Sequence, residues 1–537
     1  MGIYVNPGNN NFKNILASKI YVDKTGILEY INSVLDTEER YICSSRPRRF
    51  GKTITADMLA AYYGKGTSSE ELFKNLKISG SPDFKTHLNK YYVIQADMNN
   101  FRFRRDIVTG KPVTALQSVA LFHSEIISEL QELFNSSVSG NEKDLPDTLA
   151  KINKDTGAGF IIIIDEWDTI FREDKSDIEA QERYIELLRG LFKNSNSKKF
   201  VKLAYITGIL PIKKYGTQSA LNNFDEFSMV MPEPLEEYVG FTEEEVKQLC
   251  IKYNMDFDRT KQWYDGYILG NSLHIYNPKS VKDSIRRKRI ACYWTRTETY
   301  ESLKNYICMD FDGLKEAVIK MLAGSHIKIN PDKFQNDMSS FKSKDDIMTL
   351  LIHLGYLAYD SRQKEVYIPN EEVKSEFKNA IEGAGWDSVA RAVAASEKLL
   401  QAVWRKDGTA VAKGIDEVHT ANTSILSYND ENSLSCVISL AFYSAINEYT
   451  LIREMPSGKG YADIIFLPRK NSCRPAMVIE LKYNKSAKGA IGQIKEKKYT
   501  EALKDYQGNV LLAGINYNRK TKLHECCIES ILKTDGQ

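Results

Sequence analysis

R-P-R-R-F-G-K-T, residues Arg46 to Thr53, separates two runs of opposite character. Before it, Tyr41-Ile42-Cys43 is short and apolar, as the end of a buried strand would be. After it, Ile54 to Tyr63 sets Met58, Leu59 and Tyr62 on one side of a helix. Strand, tight loop with Gly51-Lys52-Thr53, then helix is the layout of a phosphate-binding loop. Backbone N–H groups and the helix N-terminus face an anion, Lys52 reaches the terminal phosphates, and Thr53 presents a hydroxyl to Mg²⁺. The general pattern G-x-x-x-x-G-K-[ST] asks for glycine where this chain has Arg46, so the residues also fit an ordinary strand–helix turn with an exposed lysine.

A second stretch bears on that choice. Phe160 and four isoleucines run into Asp165-Glu166. A strand this apolar is buried on both faces, and its C-terminal end is where open α/β sheets bind ligands. Asp165 is placed to hold Mg²⁺ through water and Glu166 to polarise an attacking water. A third strand, Leu203 to Thr207, ends in Thr207-Gly208, which suits a hydroxyl near a γ-phosphate, although a strand-ending threonine is also a common turn residue. With Tyr91 to Ala96 as a further strand and helical patterns over Thr114 to Phe134 and Ile178 to Phe192, residues 1–285 read as an α/β domain with a P-loop-type parallel sheet.

Composition bounds the rest. A chain of 537 residues exceeds one core. Its 73 Lys+Arg balance 71 Asp+Glu at a net charge of +2, so any basic surface is local. Eight cysteines without a C-x-x-C pair suggest reduced, cytoplasmic usage and neither a zinc site nor a disulfide scaffold. No signal peptide and no run of about 18 apolar residues is visible, so no membrane partner is expected.

Residues 286–430 read as a helical linker region. Within it, the helical pattern of Asp345 to Tyr359, the extended run Glu365 to Pro369 and the cap Asn370-Glu371 resemble a winged helix or, equally, a packing spacer. Trp386 and Trp404 are candidate core anchors, and Asn429 to Asn432 is the candidate boundary of a third domain, 431–537.

That domain carries its own constellation. Asp463 lies inside the apolar run Tyr461 to Leu467, and Pro475 to Tyr483 forms the next strand. Residues two apart share a strand face, so Val478, Glu480 and Lys482 point one way. A Glu–Lys pair in so apolar a strand is costly to bury without partners. It fits a satisfied ion pair, or a site in which Asp463 and Glu480 hold Mg²⁺ and Lys482 activates water against a phosphodiester. Glu448 is a candidate further ligand. The basic helix opening at Gln493 and the strand Asn509 to Asn516 complete a helix, hairpin, helix, strand order, an α/β/α restriction-endonuclease-like domain.

With both constellations placed, the chain resembles bacterial proteins that join an AAA-ATPase-like domain to a C-terminal PD-(D/E)-x-K nuclease-like domain. The carriers are Y-V-D-K-T at Tyr21 to Thr25, S-R-P-R-R-F-G-K-T at Ser45 to Thr53 and the Asp165-Glu166 strand end. T-G-I-L at Thr207 to Leu210, W-Y-D-G-Y at Trp263 to Tyr267 and Y-N-P at Tyr276 to Pro278 extend the match. So do A-D-I-I-F, V-I-E-L-K-Y, Gln493 and Tyr499 in the C-terminal domain. Arg46 is then the family's own form of the loop.

The resemblance implies an ATP-binding, ATP-hydrolysing protein coupled to a Mg²⁺-dependent nuclease acting on nucleic acid, DNA before RNA. Lys52, Gly51, Thr53, Asp165 and Thr207 would bind nucleotide and Mg²⁺, with Arg48 and Arg49 on phosphate or on a neighbouring subunit of a homo-oligomer. Glu166, Asp463, Glu480 and Lys482 would be catalytic. The alternative is a nucleotide-switched regulatory protein whose nuclease-like fold holds DNA without cutting it.

Overall fold

A computed structural model describes residues 2–533 apart from 107–108, 139–143, 213, 216–217, 220, 271, 295–298, 310, 312, 323, 336–340, 384–386, 423–436, 439, 458–459, 470–471, 473, 500–502, 504–505 and 507. Trp386 and the Asn429–Asn432 break therefore lie outside the described residues. The chain divides into two compact units, 1–297 with 328–373, and 298–327 with 374–537.

The first unit is built on a five-stranded sheet of β1 (Tyr41–Ser45), β2 (Tyr92–Asp97), β3 (Phe160–Asp165), β4 (Val201–Gly208) and β5 (Asp225–Phe227). The order is β2-β3-β4-β1-β5 and every pairing is parallel. Period-2 alternation splits the isoleucine run of β3 between two cores. Ile162 and Ile164 face one layer with Val119, Ile126 and Leu188, while Ile161 and Ile163 face the other with Leu59, Tyr63 and Tyr205. Helix α1 (Lys52–Tyr63) covers the second face, and α2 (Ala115–Leu133) and α3 (Ile178–Phe192) the first. Thr114 and Gln117 start α2 with a capping box. Because all strands are parallel, Ser45, Asp97, Asp165 and Thr207 end on one edge of the sheet, with Asp97, Asp165 and Thr207 in register.

Past the sheet, α4 (Glu243–Tyr253), α5 (Phe257–Tyr264) and α6 (Pro278–Arg287) form a smaller layer whose core holds Val246, Tyr264, Tyr276 and Val281. The helix expected over Asp345 to Tyr359 is shorter, α7 (Lys344–Leu354). Ser343 caps its start, and Gly355 ends it in the left-handed region at φ 84°. An added Cβ on Gly355 would also stand 2.8 Å from Pro47, so glycine is required here by packing as well as by its φ. The hairpin Ala358–Asp360 with Glu365–Tyr367 follows, and Asn370 Oδ1 accepts the Val373 N–H at 3.0 Å to start the next helix.

The second unit centres on a mixed sheet of β6 (Tyr449–Ser457), β7 (Gly460–Pro468), β8 (Ala476–Tyr483), β9 (Gly508–Asn518) and β10 (Leu523–Lys533), in chain order. Only β8 and β9 run parallel. The connection between them carries α8 (Ala487–Glu496), which buries Ala490, Ile491 and Ile494. Gly514 of β9 is required by that packing, because a Cβ there would meet the Ala487 carbonyl oxygen at 2.2 Å. The chain is mixed α/β throughout. No helix among the described residues is long and apolar enough to cross a membrane.

Two candidate active sites

At the end of β1 the backbone turns through Arg49 (φ 71°) and Gly51 (φ 100°), left-handed conformations of the kind from which anion-binding loops are built. Lys52 is buried; its Nζ donates to the Pro47 carbonyl at 3.1 Å and faces Glu166 Oε1 at 3.5 Å. Thr53 donates its hydroxyl to Asp165 Oδ2 at 2.6 Å, bringing together two residues 112 positions apart. Burial, with the charges of Glu166 and Asp97 adding, pushes the Asp165 carboxyl up to about 7. Burial opposes ionisation of Glu166 too, but Lys52 and then Arg172 hold it below the usual carboxylate range.

A cavity of about 730 Å³ opens beside this loop, lined by Arg49, Gly51, Lys52, Thr53 and Glu166 on one side. Residues Ser18 to Ile20 and one face of α6 line the other. Seven Lys and Arg side chains border it against the carboxylates of Glu166 and Asp283. Charge of that sign suits a ligand carrying several negative charges. Three of the cations, Lys279, Lys282 and Arg286, come from α6 and were not anticipated, although their spacing of three and four residues marks one helix face. Asp97, which ends the strand beside β3 and whose carboxyl is pushed up to about 6 by burial, was also missed.

The loop arginines are placed differently from one another. Arg46 is fully buried and donates Nη1 to the Ser45 and Phe227 carbonyls at 2.9 and 2.8 Å, so it braces the loop from beneath. Arg49 lines the cavity and bonds the Tyr293 carbonyl at 3.2 Å. Arg48 faces Glu173 at 3.8 Å. Thr207 requires a correction. It was expected to offer its hydroxyl to a γ-phosphate, but that hydroxyl is buried and donates to the Ser44 carbonyl at 2.8 Å, and Thr207 does not line the cavity. Threonine here closes the β1–β4 strand ends.

In the second unit, antiparallel pairing of Ile464 with Ile479 sets Asp463 opposite Glu480. Asp463 Oδ2 accepts the Leu481 N–H at 2.7 Å. Glu480 is 2% exposed; its Oε1 accepts from Lys482 Nζ at 2.7 Å and from Gln493 Nε2, which also donates to Tyr499 at 3.1 Å. Burial, with the Asp463 charge adding against the Lys482 bond, pushes the Glu480 carboxyl up to about 7. Glu480 Oε2 is buried without a hydrogen-bond partner. Glu448 needs the second correction. It precedes β6 at the end paired with Pro468, five residues along β7 from Asp463, and is held by Ser472 at 3.2 Å and Arg474 at 3.9 Å. The sheet register therefore separates it from the pair by roughly 16 Å.

The donors fit a hard divalent cation at both places. Thr53 and Asp165 supply oxygens beside the cationic loop, and Asp463 with the unpartnered Glu480 Oε2 supplies them in the second unit. A further cluster among the described residues, Glu243, Asp265 and His274, has ligand atoms within 4.8 Å of one another. Lys261 pairs with both carboxylates, at 3.9 Å from Asp265, and so already neutralises it.

An uncharacterized protein in the vnfD 5′ region of Azotobacter chroococcum mcd 1 is 22% identical over 374 residues, 67% of this chain and 66% of the relative. The chain thus spans just under two thirds of that relative's length. Among solved structures, the replication initiator DnaA bound to AMPPCP and single-stranded DNA is 10% identical with a TM-score of 0.26, over 81% of this chain and 91% of that one. The Aeropyrum pernix ORC2 protein in ADPNP–ADP complexes is 10% identical with a TM-score of 0.28, over 68% and 97%. Residues 7–217 match the model of a predicted AAA-ATPase family, and residues 429–525 match that of the PD-(D/E)XK nuclease superfamily. The chain carries an AAA-ATPase-like domain followed by a C-terminal PD-(D/E)XK nuclease superfamily domain.

Proposed function

We propose that the chain binds and hydrolyses ATP at the loop of Arg46 to Thr53 and cuts nucleic acid, DNA before RNA, at Asp463, Glu480 and Lys482, with ATP controlling the cut. The observation that carries the nuclease reading is the orphaned Glu480 Oε2 beside Asp463: a buried carboxylate oxygen without a donor is stabilised by a cation.

Thr53 and Asp165 in the first site, and Asp463 and Glu480 in the second, are the residues that would hold Mg²⁺. Bound there, Mg²⁺ supplies charge neutralisation of phosphate oxygens and lowers the pKa of a coordinated water. In the first site the loop N–H groups and Lys52 orient the terminal phosphates, and Glu166 accepts a hydrogen bond from the attacking water. Lys282 and Arg286 add positive charge from the opposite wall. In the second site Lys482, held on Glu480 Oε1, orients water toward the scissile phosphorus, and Gln493 fixes the carboxylate that Lys482 leans on.

The test incubates wild type, Lys482→Ala and Asp463→Ala with single- and double-stranded DNA and RNA, with and without ATP and Mg²⁺. Cleavage by wild type, lost in both variants while ATP binding persists, is expected. Unchanged cleavage by Asp463→Ala would remove the site assignment. Wild-type protein that binds DNA but never cuts it with Mg²⁺ or Mn²⁺ would instead favour a nucleotide-switched DNA-binding protein.

A further inference from the structure

Glu166 directly follows β3 with its backbone in the left-handed region at φ 50°, a conformation uncommon for a non-glycine residue and maintained only where its surroundings enforce it. The enforcement is visible around its side chain. Glu166 Oε2 accepts from Arg172 Nη2 at 2.6 Å. Arg172 is itself held on two further edges, by Asp168 Oδ2 on Nε at 3.0 Å and by Glu173 Oε1 on Nη1 at 3.3 Å. Asp168 is fully buried, and the same Oδ2 accepts the N–H groups of Ile209 and Leu210 at 3.1 and 2.8 Å. Gly208 leaves the room for this arrangement, because a Cβ there would stand 2.6 Å from Asp168 Oδ1 and 2.8 Å from Trp167 Cδ1. D-E-W-D and T-G-I-L, two motifs about forty residues apart, are thus one interlocked unit ending on Glu166.

We propose that Arg172 is the positioning residue for Glu166, fixing the direction of its carboxylate through a chain that runs from the end of β4 by way of Asp168. Glu166 stands next to Asp165 and beside the phosphate loop, so the negative charge of a bound triphosphate repels it. A planar guanidinium fixed on its other edges resists that displacement, whereas a flexible ammonium resists it less. Arg172 does not line the cavity, so its effect passes through Glu166 and not through contact with nucleotide.

The proposal rests on Glu166 serving ATP hydrolysis and is tested by steady-state ATPase kinetics, with single-turnover rates for slow variants. Arg172→Met is expected to lower kcat on the order of 100-fold, the scale of a catalytic group misplaced by about 1 Å, with KM for ATP within about threefold. Arg172→Lys should recover part of kcat, and it retains a counter-ion for Asp168 should Arg172→Met fail to fold. In a Glu166→Gln background Arg172→Met should cost less than about threefold, since both changes act on one carboxylate. Wild-type kcat in Arg172→Met, an equal loss with and without Glu166, or a Lys variant no better than Met would overturn the proposal. Wild-type protein that binds ATP without any turnover would overturn the hydrolysis reading and this one with it.

Discussion

Asp463 and Glu480 stand opposite one another on neighbouring antiparallel strands, and Glu480 Oε1 takes the Lys482 ammonium at 2.7 Å. Asp463 Oδ2 accepts a backbone N–H from beside Glu480 at 2.7 Å, and Glu480 Oε2 is buried without a partner. Two carboxylates forced together in a β-sheet interior repel one another, and the geometry is stabilised by whatever positive charge enters between them.

The pH dependence of stability follows from that repulsion. Glu480 has its carboxyl pushed up to about 7, above the ordinary value near 4.3 of an unfolded chain. A carboxyl raised on folding stabilises the protein fully below the unfolded value, and that contribution is lost as pH rises through the folded value. In chelator, the stability of wild type relative to Glu480→Gln should therefore fall between about pH 4.5 and 7, read as a lowered melting temperature of wild type against that variant. Parallel melting curves for the two proteins across that range would show that Glu480 is not strained as described. By the same sign, Mg²⁺ affinity should rise with pH through 7.

Gln493 donates to the Glu480 oxygen that also carries Lys482. Partners that orient a ligating carboxylate typically matter on the order of 10–100-fold in metal affinity or activity. Gln493→Ala should weaken Mn²⁺ binding, read by calorimetry, on that scale while Tyr499 and the fold stay in place. Affinity equal to wild type would make Gln493 a packing residue of α8.

The wall of α6 should matter to nucleotide affinity in a salt-dependent way. Burial, with the charge of Lys279 adding, lowers the Lys282 pKa, so this ammonium sits where a further anion is favourable. Lys282→Glu should weaken ATP binding about tenfold, roughly 1.4 kcal/mol, in low salt and less in high salt. Equal affinity at both ionic strengths would place the phosphates away from this wall.

Gly208→Ala tests the contact between the two strand-end motifs without replacing a charged group. The added methyl lies 2.6 Å from Asp168 Oδ1, an atom of a buried and immobilised side chain. Overpacking of this kind costs about 1–3 kcal/mol, and thermal unfolding should show it as a lowered melting temperature. A variant as stable as wild type would mean that the Asp168 carboxylate can move.

Much of this protein is local in origin. The strands β1 to β4, helices α1 to α3, the turn at Gly51 and the face shared by Glu480 and Lys482 follow from runs of five to twenty residues. Period 2, period 3.6 and glycine tolerance of positive φ act over such distances. Strand β5, with the pattern Asp225-Glu226-Phe227, has no such signal and forms because β1 offers it an open edge.

What the tertiary structure alone decided is which side chains meet, and in what direction each polar atom is spent. Thr207 ends its strand as the residue pattern indicates, yet its one hydroxyl hydrogen goes to Ser44, a partner 163 residues away. Glu448 precedes the hairpin as expected, but the β6–β7 register sets it at the wrong end. Asp97 and the cations of α6 enter the first site from a neighbouring strand and a separate layer, while Arg172 and Gln493 reach Glu166 and Glu480 from helical segments that follow those residues in the chain; spacing can mark a helix face, as in α6, but not the site that the face meets. A local pattern constrains the backbone; the destination of a hydrogen bond depends on the one neighbour that burial leaves within about 3 Å, and that neighbour is chosen by the fold.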